Sequence, residues 1–599
     1  MQSIQALVRE AEDNYLNGTV SRSSYVDWSM HDTIETIDAY LNSKHISGAT
    51  DSHGREKPFF NIVTAARNIW YKATDLDRKN IRILPDSADH TAHAFIATVL
   101  LQRWMREERF GVFLNQWGLT LANYGSAIVK FVRKDGRLIP SVVPWNRFIA
   151  DPLQFDAIPR IEKFYMTPAQ LRKNTNYNQK VVDELIQATS SRETLDGFKQ
   201  DNKNDFIEIY EVHGELDTRL LEDEPNEEAE PKFRQQMHVI SYVQKGKDYE
   251  DFTLYKGKEA QDPYMLTHLI EEDGRTLSIG SVEYLFDSQW MVNHSMKNMK
   301  DTLDISSKLI FQTADSNFVG RNVLNAIETG DIFTHKENMP LTRLANDKPD
   351  ITALQNYGIM WQRNANDIVS TPEAIKGQTL PSGTPYSLGA LLTQNAGNIF
   401  EQMTENKGLH LEDMMREYII PFLKTKMDTS EEIVAVLEAD QIAEVDAMYI
   451  PRQAIRNFNK RTIDTLLSGG IPSPFNPQAE EQNVRQGLGE MGNKRSFKPS
   501  DISEKTWKQS LKDFEWRAIV EITNETTDKQ AVLTTLSTVF QTIASNPQIL
   551  QDANAKMILG AILSETGRIS PIQLSSVSAA QPNPVPNQPL QALAEKTNV

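Results

Sequence analysis

Three glycines at the spacing G-x-G-x-x-G are the residues whose type and pattern come nearest to a nucleotide site. They are Gly487, Gly489 and Gly492, and Lys494 follows two residues later. A dinucleotide site needs this pattern between a strand and a helix, because the pyrophosphate binds at the helix N-terminus. The flanking segments here are polar and predict a flexible loop. A phosphate-binding loop needs its lysine directly after the last glycine, where Asn493 lies. We therefore assign no nucleotide site.

Histidines, carboxylates and serines give no catalytic or metal-binding pattern either. The eleven histidines include no H-E-x-x-H motif and no pair at metal spacing with a carboxylate in register. Glu283 and Asp287 are neighbours four residues apart, as is common on exposed helix faces. No G-x-S-x-G motif is present. The chain has no cysteine, which removes thiolate metal sites and cysteine nucleophiles. The sequence therefore predicts no enzyme, no metal site and no cofactor.

Length and charge limit the class of protein. The 599 residues predict several structural units, and no run of about 18 apolar residues predicts a membrane span. The N-terminus has no secretory pattern, so we expect a protein assembled in a cytoplasm. The formal net charge of −18 argues against DNA binding by the whole surface, because such affinity comes from cations that neutralise phosphates. It does not exclude a protein past which DNA slides.

The N-terminal half predicts helices followed by small β units, so the expected fold is mainly α with smaller β parts (α+β). Residues 1 to about 120 carry apolar residues at helical spacing. From Ser126 the pattern alternates around Asp135-Gly136, which is typical of a hairpin. A helix is expected over 167–188, and strands are expected over 206–216 and 238–246. The acidic run 222–230 between these strands predicts a solvated loop.

The most regular helix is expected over 281–310. Its apolar stripe consists of Val282, Leu285, Val292, Met296, Met299, Leu303 and Ile310. The opposite face carries Asp287, His294, Lys297 and Asp301, and it should meet water or another molecule. A second helix over 350–369 shares one apolar face. Trp290 and Trp361 are interpreted as core or subunit contacts, in preference to a platform for stacked bases.

The remaining chain predicts more helices, two of them after a loop rich in proline and glycine. Helices are expected over 387–407 and 409–424, then over 443–470. A loop-rich span over 471–500, a strand over 515–522 and two further helices follow. Two short basic clusters, RNFNKR at 456–461 and KRSFK at 494–498, are each weak indications of nucleic-acid binding. Four prolines between Pro582 and Pro589 predict a disordered tail.

The order of elements from Ser281 onward resembles the portal (head-to-tail connector) proteins of tailed bacteriophages, most closely those of short-tailed phages. The resemblance is strongest over 281–425, where two helices bracket a small insert and a loop precedes a long helix. It implies a wing of helices and β hairpins at 1–280, followed by a first stem helix at 281–310, a clip at 311–348 and a second stem helix at 349–370. A tunnel loop and long wing helices would then occupy 371–428. A wing and crown connection with a strand at 429–525, crown helices at 526–569 and a disordered tail at 570–599 would complete the chain.

The resemblance also implies site residues. A tunnel loop facing DNA would include Lys376, Gly377, Gln378, Thr379, Pro381, Ser382, Gly383, Thr384 and Tyr386. The stem would present Asp287, His294, Lys297 and Asp301 to the channel. The clip would contact terminase and the tail adaptor through Arg321, Asn322, Lys336 and Glu337.

The implied function is a dodecameric ring at one capsid vertex of the virion. Such a ring initiates capsid assembly, admits double-stranded DNA during packaging, retains it and later passes it to the tail. Its expected partners are the terminase large subunit, tail adaptor or nozzle proteins, and the major capsid and scaffolding proteins, without a membrane. Two alternatives stay open. One is another ring-forming connector or vertex protein, and the other is a phage nuclease with clustered carboxylates that hold divalent metal.

Overall fold

Helices and small antiparallel sheets share the chain in the computed structural model, and the fold is α+β as the sequence predicts. The structure describes residues 3–20, 28–51, 54–76, 81–84, 91–190, 206–222, 230–307, 311–314, 316, 336–339, 342–343, 351–369, 386–426, 433–436, 439–471, 473–490, 494–497 and 517–520. The chain divides into two units, Met1–Glu521 and Ile522–Val599, and every described residue belongs to the first. None of the described helices has the length and hydrophobicity that crossing a bilayer requires.

The described helices are numbered in chain order. They are α1 (Ile4–Leu16), α2 (Met30–Leu41), α3 (Val63–Ala73), α4 (Thr91–Glu107), α5 (Phe110–Tyr124), α6 (Pro168–Lys173), α7 (Gln179–Ser190), α8 (Phe286–Ser307), α9 (Ile351–Ile368), α10 (Tyr386–Met414), α11 (Ile420–Lys426), α12 (Ala439–Leu467) and α13 (Pro477–Glu490). A π-helical turn, Met415–Ile419, joins α10 to α11.

The described strands are short. They are β1 (Ile81–Leu84), β2 (Ser126–Lys134), β3 (Arg137–Val143), β4 (Phe148–Ile149), β5 (Arg160–Met166), β6 (Ile207–Asp217), β7 (Phe233–Lys245), β8 (Asp248–Lys258), β9 (Tyr264–His268), β10 (Phe311–Gln312), β11 (Thr342–Arg343), β12 (Ile433–Val436), β13 (Lys494–Phe497) and β14 (Arg517–Val520).

Side-chain caps explain where several helices begin. Ser3 accepts a hydrogen bond from the backbone N–H of Ala6 at the start of α1. Thr167 and Gln170 form a reciprocal capping box at the start of α6, with Pro168 in the first turn. Both arrangements satisfy backbone donors that a helix start leaves unpaired. The Thr167-Pro168 start of a helix is therefore confirmed, although the predicted helix over 167–188 is divided into α6 and α7.

Two antiparallel sheets form the main β part of the structure. Together with the helices that pack on them, we call them the body. One has the order β3-β2-β9, and the other has the order β4-β5-β6-β7-β8. The predicted hairpin is confirmed because Lys134 pairs with Arg137 across a two-residue turn. Asp135 and Gly136 in that turn have φ of 51° and 71°, as the favoured two-residue hairpin turns require.

Buried tryptophans join the helices to the sheets. Trp117 on α5 is fully buried, and its Nε1–H donates to Thr267 Oγ1 on β9 (2.9 Å). Trp145 lies in a second core cluster with residues of α1, α2 and β6, and its Nε1–H donates to the backbone oxygen of Ser126 (3.0 Å). Each indole therefore buries a large apolar surface while its polar atom stays hydrogen-bonded.

A buried charge network connects the two sheets. Lys130 on β2 donates to Glu162 on β5 and to Glu211 on β6, both at 2.8 Å. His213 contacts Glu211 (2.6 Å) and Glu259 (2.7 Å) through its two ring nitrogens. Burial would lower the pKa of Lys130, but the two carboxylates raise it above its usual value. The lysine is therefore held charged between the sheets.

Long-range pairing produces elements that the sequence pattern did not predict. Residues 81–84, in a region expected to be helical, form β1 and pair with β14, more than four hundred residues later. Strands β5, β8 and β9 were not predicted either. The strand expected over 515–522 is confirmed as β14. The helical run expected near 91–124 is interrupted at Arg109, which has φ of 53°.

Two predictions in the C-terminal half are wrong. The two helices expected to separate near Gly408 form one continuous helix, because α10 runs through this glycine. The span expected to be loop over 471–500 contains α13, and Gly487 and Gly489 lie within that helix. Buried Val484 and Leu488 pack against α12, which explains why this polar segment is helical. The predicted crown helices and tail, 526–599, lie outside the described residues.

Candidate functional site

Helices α8 and α9 lie side by side and run in opposite directions. At the middle of the pair, a Cβ atom at Gly358 would lie 3.8 Å from Ser295 Cβ. The backbone oxygen of Val369, just after α9, accepts from Trp70, whose ring lies 6.1 Å from that of Tyr284, just before α8. Beyond the opposite ends of the helices, β10 pairs with β11. We call α8 and α9 the helix pair.

The segment before α8 is fixed to the end of α5. Ser281 Oγ donates to the backbone oxygen of Ala122 (2.7 Å). A Cβ atom at Gly280 would lie 2.3 Å from the backbone oxygen of Asn123, so only glycine permits this approach. Arg275 pairs with Glu283 (2.8 Å) at the start of the helix pair. Burial raises the pKa of Glu283, and the nearby guanidinium partly offsets this effect.

Two buried amide side chains hold α8 against the chain before α3. Gln289 Oε1 accepts from the backbone N–H of Ile62 (2.9 Å), and Gln289 Nε2 donates to the backbone oxygen of Phe60 (2.7 Å). Asn293 Oδ1 accepts from the backbone N–H of Phe60 (2.9 Å). The predicted apolar stripe is thus only partly correct, because polar side chains form much of the buried side and Leu303 is exposed.

Replacing Gln289 with alanine should destabilise this attachment by about 1–2 kcal/mol, because the buried N–H of Ile62 and the partly buried backbone oxygen of Phe60 would lose their partners. Hydrogen exchange should show faster exchange at the Ile62 N–H. Gln355→Ala on the exposed side of α9 is the matched control. Equal protection at Ile62 in both variants would show that the amide does not hold the helix.

The four predicted stem residues lie on the face of α8 next to these amides, and Lys297 continues the amide row one turn after Asn293. Asp287 and His294 are exposed, and the His294 ring stacks on Trp290 at a centroid distance of 5.3 Å. Lys297 is half-buried. Asp301 is also half-buried and pairs with Arg55 (3.3 Å), so part of its charge is neutralised within the chain. The structure therefore places all four on one face, as the helical spacing predicts.

The helix pair also exposes large apolar side chains. Trp290 is 57% exposed, so its predicted core position is wrong, while its role as a subunit contact stays a prediction. Met360 on the outer side of α9 is 55% exposed. Among the described side chains of the pair, Leu303, Tyr357, Ile359 and Ile368 are also exposed.

A cavity of about 400 Å³ lies next to Met360. It is lined by Met360, Trp361, Arg363, Asn364 and Asp367. The Nε1–H of Trp361 is buried and donates no hydrogen bond among the described residues. Exposed apolar side chains beside a cavity are typical of a surface that another molecule covers.

Most predicted tunnel-loop and clip residues lie outside the described residues. This holds for Lys376, Gly377, Gln378, Thr379, Pro381, Ser382, Gly383, Thr384, Arg321 and Asn322. Tyr386 is the first residue of α10. Lys336 and Glu337 are exposed in a turn that the Met339 N–H closes by donating to the backbone oxygen of Lys336 (3.0 Å).

Three polar side chains attach the C-terminal half of α10 to the body. Asn406 donates to the backbone oxygen of Leu269, and Lys407 donates to that of Thr74, both at 2.8 Å. His410 Nε2 accepts from the backbone N–H of His268 (3.2 Å). Burial lowers the pKa of Lys407 to about 8. No sequence pattern indicated these contacts, because isolated polar residues in a helix ordinarily face water.

One group of potential metal ligands occurs in the described part of the chain. His31, Asp32 and Glu35 have ligand atoms within 4.8 Å of one another, a spacing that the histidine patterns considered above did not include. Both carboxylates are exposed, and such acidic groups are common without a metal. This cluster therefore gives no reason to assign a metal site.

The helix pair is the candidate functional site because it combines attachment to the body with a partly exposed polar face and with exposed apolar side chains. Exposed apolar side chains on both helices suit contact with other molecules. Comparisons with protein-family models and with curated proteins identified no match to this sequence.

Proposed function

We propose that the chain is the subunit of a bacteriophage portal, a ring that conducts double-stranded DNA through one vertex of the capsid. One observation carries this proposal: an antiparallel helix pair is fixed to an α+β body and exposes apolar side chains on its outer surface. The resemblance in element order over 281–425 supports the same assignment. In this assignment α8 and α9 are the two stem helices, and the segment between them is the clip.

A ring of identical subunits accounts for the exposed surface of the helix pair. Each subunit in a cyclic ring uses two different surfaces, because every copy contacts one neighbour on each side. Trp290 and Met360 lie on different helices and are more than half exposed, so they are available to two neighbours. A dodecamer is the number of copies that the family resemblance implies.

The charge of the chain suits a channel for DNA. Cationic contacts with phosphates create salt-dependent binding, so a strongly basic wall would hold DNA in place. The formal net charge of −18 makes such retention weak over most of the surface. The ring would act in capsid assembly, packaging, retention and ejection, with terminase, tail adaptor, major capsid and scaffolding proteins as partners. The subunit itself would have no enzymatic activity, and terminase would hydrolyse ATP.

Met360→Asp tests the proposed interface. Wild-type protein should form rings with a central hole in negative-stain electron microscopy and a single ring mass in native mass spectrometry. The aspartate should shift the population to free subunits, because ring closure would bury its charge. Val112→Asp on α5 is a matched control, since Val112 is 54% exposed on another helix. That variant should form rings as wild type does.

The outcomes separate two questions. Wild-type protein that remains monomeric across salt and concentration would contradict the portal assignment. Rings formed equally well by both variants would leave the portal assignment standing but would remove Met360 from the subunit interface. Metal-dependent cleavage of DNA by the wild-type protein would instead support the nuclease alternative.

A further inference from the structure

Trp290, the most exposed aromatic side chain among the described residues of the helix pair, points away from α9. Ser295 faces α9, because a Cβ atom at Gly358 would lie 3.8 Å from the Ser295 Cβ. Trp290 precedes Ser295 by five residues, so at 100° per residue it lies about 140° around α8 from the side that faces α9. One face of its ring stacks on His294, and the side chain is 57% exposed.

The cavity next to Met360 lies on the side of α9 that faces away from α8. Four of its lining residues, Met360, Arg363, Asn364 and Asp367, are exposed. Measured from Gly358, all four lie within about 60° of the direction opposite to α8. The cavity of about 400 Å³ is large enough for an indole ring. The helix pair therefore has a projecting ring on one outer side and a cavity on the other.

Trp290 and this cavity lie at the same level along the helix pair. In antiparallel helices, equal steps in opposite directions keep two residues level, because the rise per residue is the same. Trp290 is five residues before Ser295 on α8, and Arg363 is five residues after Gly358 on α9. The two contacts of Trp70 at the end of the pair give the same register. Trp290 is therefore level with Arg363, near the middle of the cavity.

A cyclic ring would bring these two surfaces together. Rotation about the ring axis leaves every residue at its own level along that axis. Where the helix pairs run along the axis, as proposed for the stem, α8 of one subunit lies beside α9 of the next. The contact then joins two different surfaces on opposite sides of the subunit, as a heterologous interface that closes by rotation requires.

We propose that Trp290 of one subunit occupies the cavity next to Met360 of the adjacent subunit. This inference rests on the proposed function, which supplies the ring, and it names the residues that close it. In this position the indole buries apolar surface against Met360, and the Arg363 guanidinium lies over the ring in a cation–π contact. Aromatic side chains held in pockets carry much of the binding energy of protein interfaces.

The charged groups around the contact are compatible with it. Asp287 lies one turn before Trp290 on α8 and is exposed, and the same register places it level with residue 366, beside Asp367. These two carboxylates would repel each other, but Arg363 lies about one turn from both and can pair with each. Among the described residues Arg363 has no ion-pair partner, so ring closure would supply one.

Disulfide cross-linking tests this register directly, because the chain has no cysteine of its own. The test variant combines Asp287→Cys with Asp367→Cys and keeps Trp290 in place. A disulfide requires Cα atoms within about 7 Å, and Asp367 faces away from α8, so a bond between the two positions must join different subunits. The control combines Asp287→Cys with Gln355→Cys, an exposed position on α9 about 16 Å away along the helix.

On oxidation, the test variant should give a ladder of covalent multimers that extends to the full ring on a non-reducing gel. The control should give at most dimers joined through identical positions. Wild-type rings combined with a test variant that gives no ladder would overturn the inference and leave the portal assignment standing. Equal ladders from both variants would overturn the register. Wild-type protein that stays monomeric would overturn both the inference and the portal assignment.

Trp290→Ala tests the anchoring side chain itself. In native mass spectrometry, the protein concentration at which half the subunits are in rings should rise at least about tenfold. Phe233→Ala on β7 removes an aromatic side chain of similar exposure, 64%, from the body and should leave this concentration unchanged. A Trp290→Ala protein that forms rings as readily as wild type would show that the indole does not occupy the cavity.

Discussion

Lys130→Met is expected to lower the free energy of unfolding by about 3–5 kcal/mol, the cost typical of removing one partner from a buried ion pair. Lys130 is 7% exposed and is the cation between Glu162 and Glu211. The methionine would leave these carboxylates buried with less compensation. Because Lys130 lies on β2 and its partners lie on β5 and β6, the contact between the two sheets should be lost first.

Guanidinium unfolding followed by tryptophan fluorescence measures this effect. Lys245→Met is the matched control, since Lys245 also pairs with a glutamate, Glu250, but both side chains are about half exposed. Exposed pairs contribute at most about 1 kcal/mol, so the control should change little. Adding Glu162→Gln to Lys130→Met should recover part of the loss by removing an uncompensated charge. Equal effects of the two lysine variants would contradict a structural role for the buried network.

The contribution of the same charge network to the free energy of unfolding should depend on pH in a defined direction. Burial opposes ionisation of Glu211, but its contacts with His213 and Lys130 outweigh burial and lower its pKa from 4.5 to about 2. Its stabilising contribution is full above pH 4.5 and is lost as the pH falls toward 2. Burial would lower the pKa of His213, yet Glu211 and Glu259 raise it above 6.5. The stabilising contribution of protonated His213 is full below pH 6.5 and is lost as the pH rises through the raised pKa.

Local sequence patterns predicted the elements whose signals lie within a few residues. The hairpin at Asp135-Gly136 was predicted because a two-residue turn with positive φ favours those residue types. The two helices of the pair were predicted because apolar residues recur at helical spacing. Four predicted stem residues share one face of α8 for the same geometric reason.

Elements that depend on distant partners were not predicted. β1 is a strand because residues 517–520 pair with it, and no local pattern contains that information. The polar segment 477–490 is helical because Val484 and Leu488 pack on α12. No pattern in the sequence singled out Gln289 or Asn293, yet they bind the backbone near Phe60. Their role depends on a partner more than two hundred residues away.

Lys407→Met is expected to stabilise the protein by about 2–3 kcal/mol at pH 7. Burial lowers the pKa of Lys407 from 10.5 to about 8, so the folded state binds its proton less tightly than the unfolded state does. A shift of this size costs about 3 kcal/mol at any pH below about 8. Methionine has a similar shape and no charge, and the loss of the bond to the Thr74 backbone oxygen offsets about 1 kcal/mol of the gain.

The sign of the pH dependence distinguishes this cause from better packing. Between pH 8 and 10.5 the wild-type lysine loses its proton in the folded state, so the cost disappears as the pH rises. The stability gained by Lys407→Met should therefore fall from about 2–3 kcal/mol at pH 7 to about 0.5 kcal/mol or less at pH 9.5. Guanidinium unfolding at pH 7 and pH 9.5 measures both values, with exposed Lys180→Met on α7 as the control.

A gain that is equal at both pH values would mean that packing, and not charge, limits stability at this position. A loss at pH 7 would mean that the contact with Thr74 outweighs the cost of burying the charge. The expected pH-dependent gain would instead show that the chain keeps an unfavourable buried cation on α10, the helix that directly follows the proposed tunnel loop. Lys407 would then be a position at which attachment of α10 is weaker than the fold allows, as is common in proteins that lie just above the stability they need.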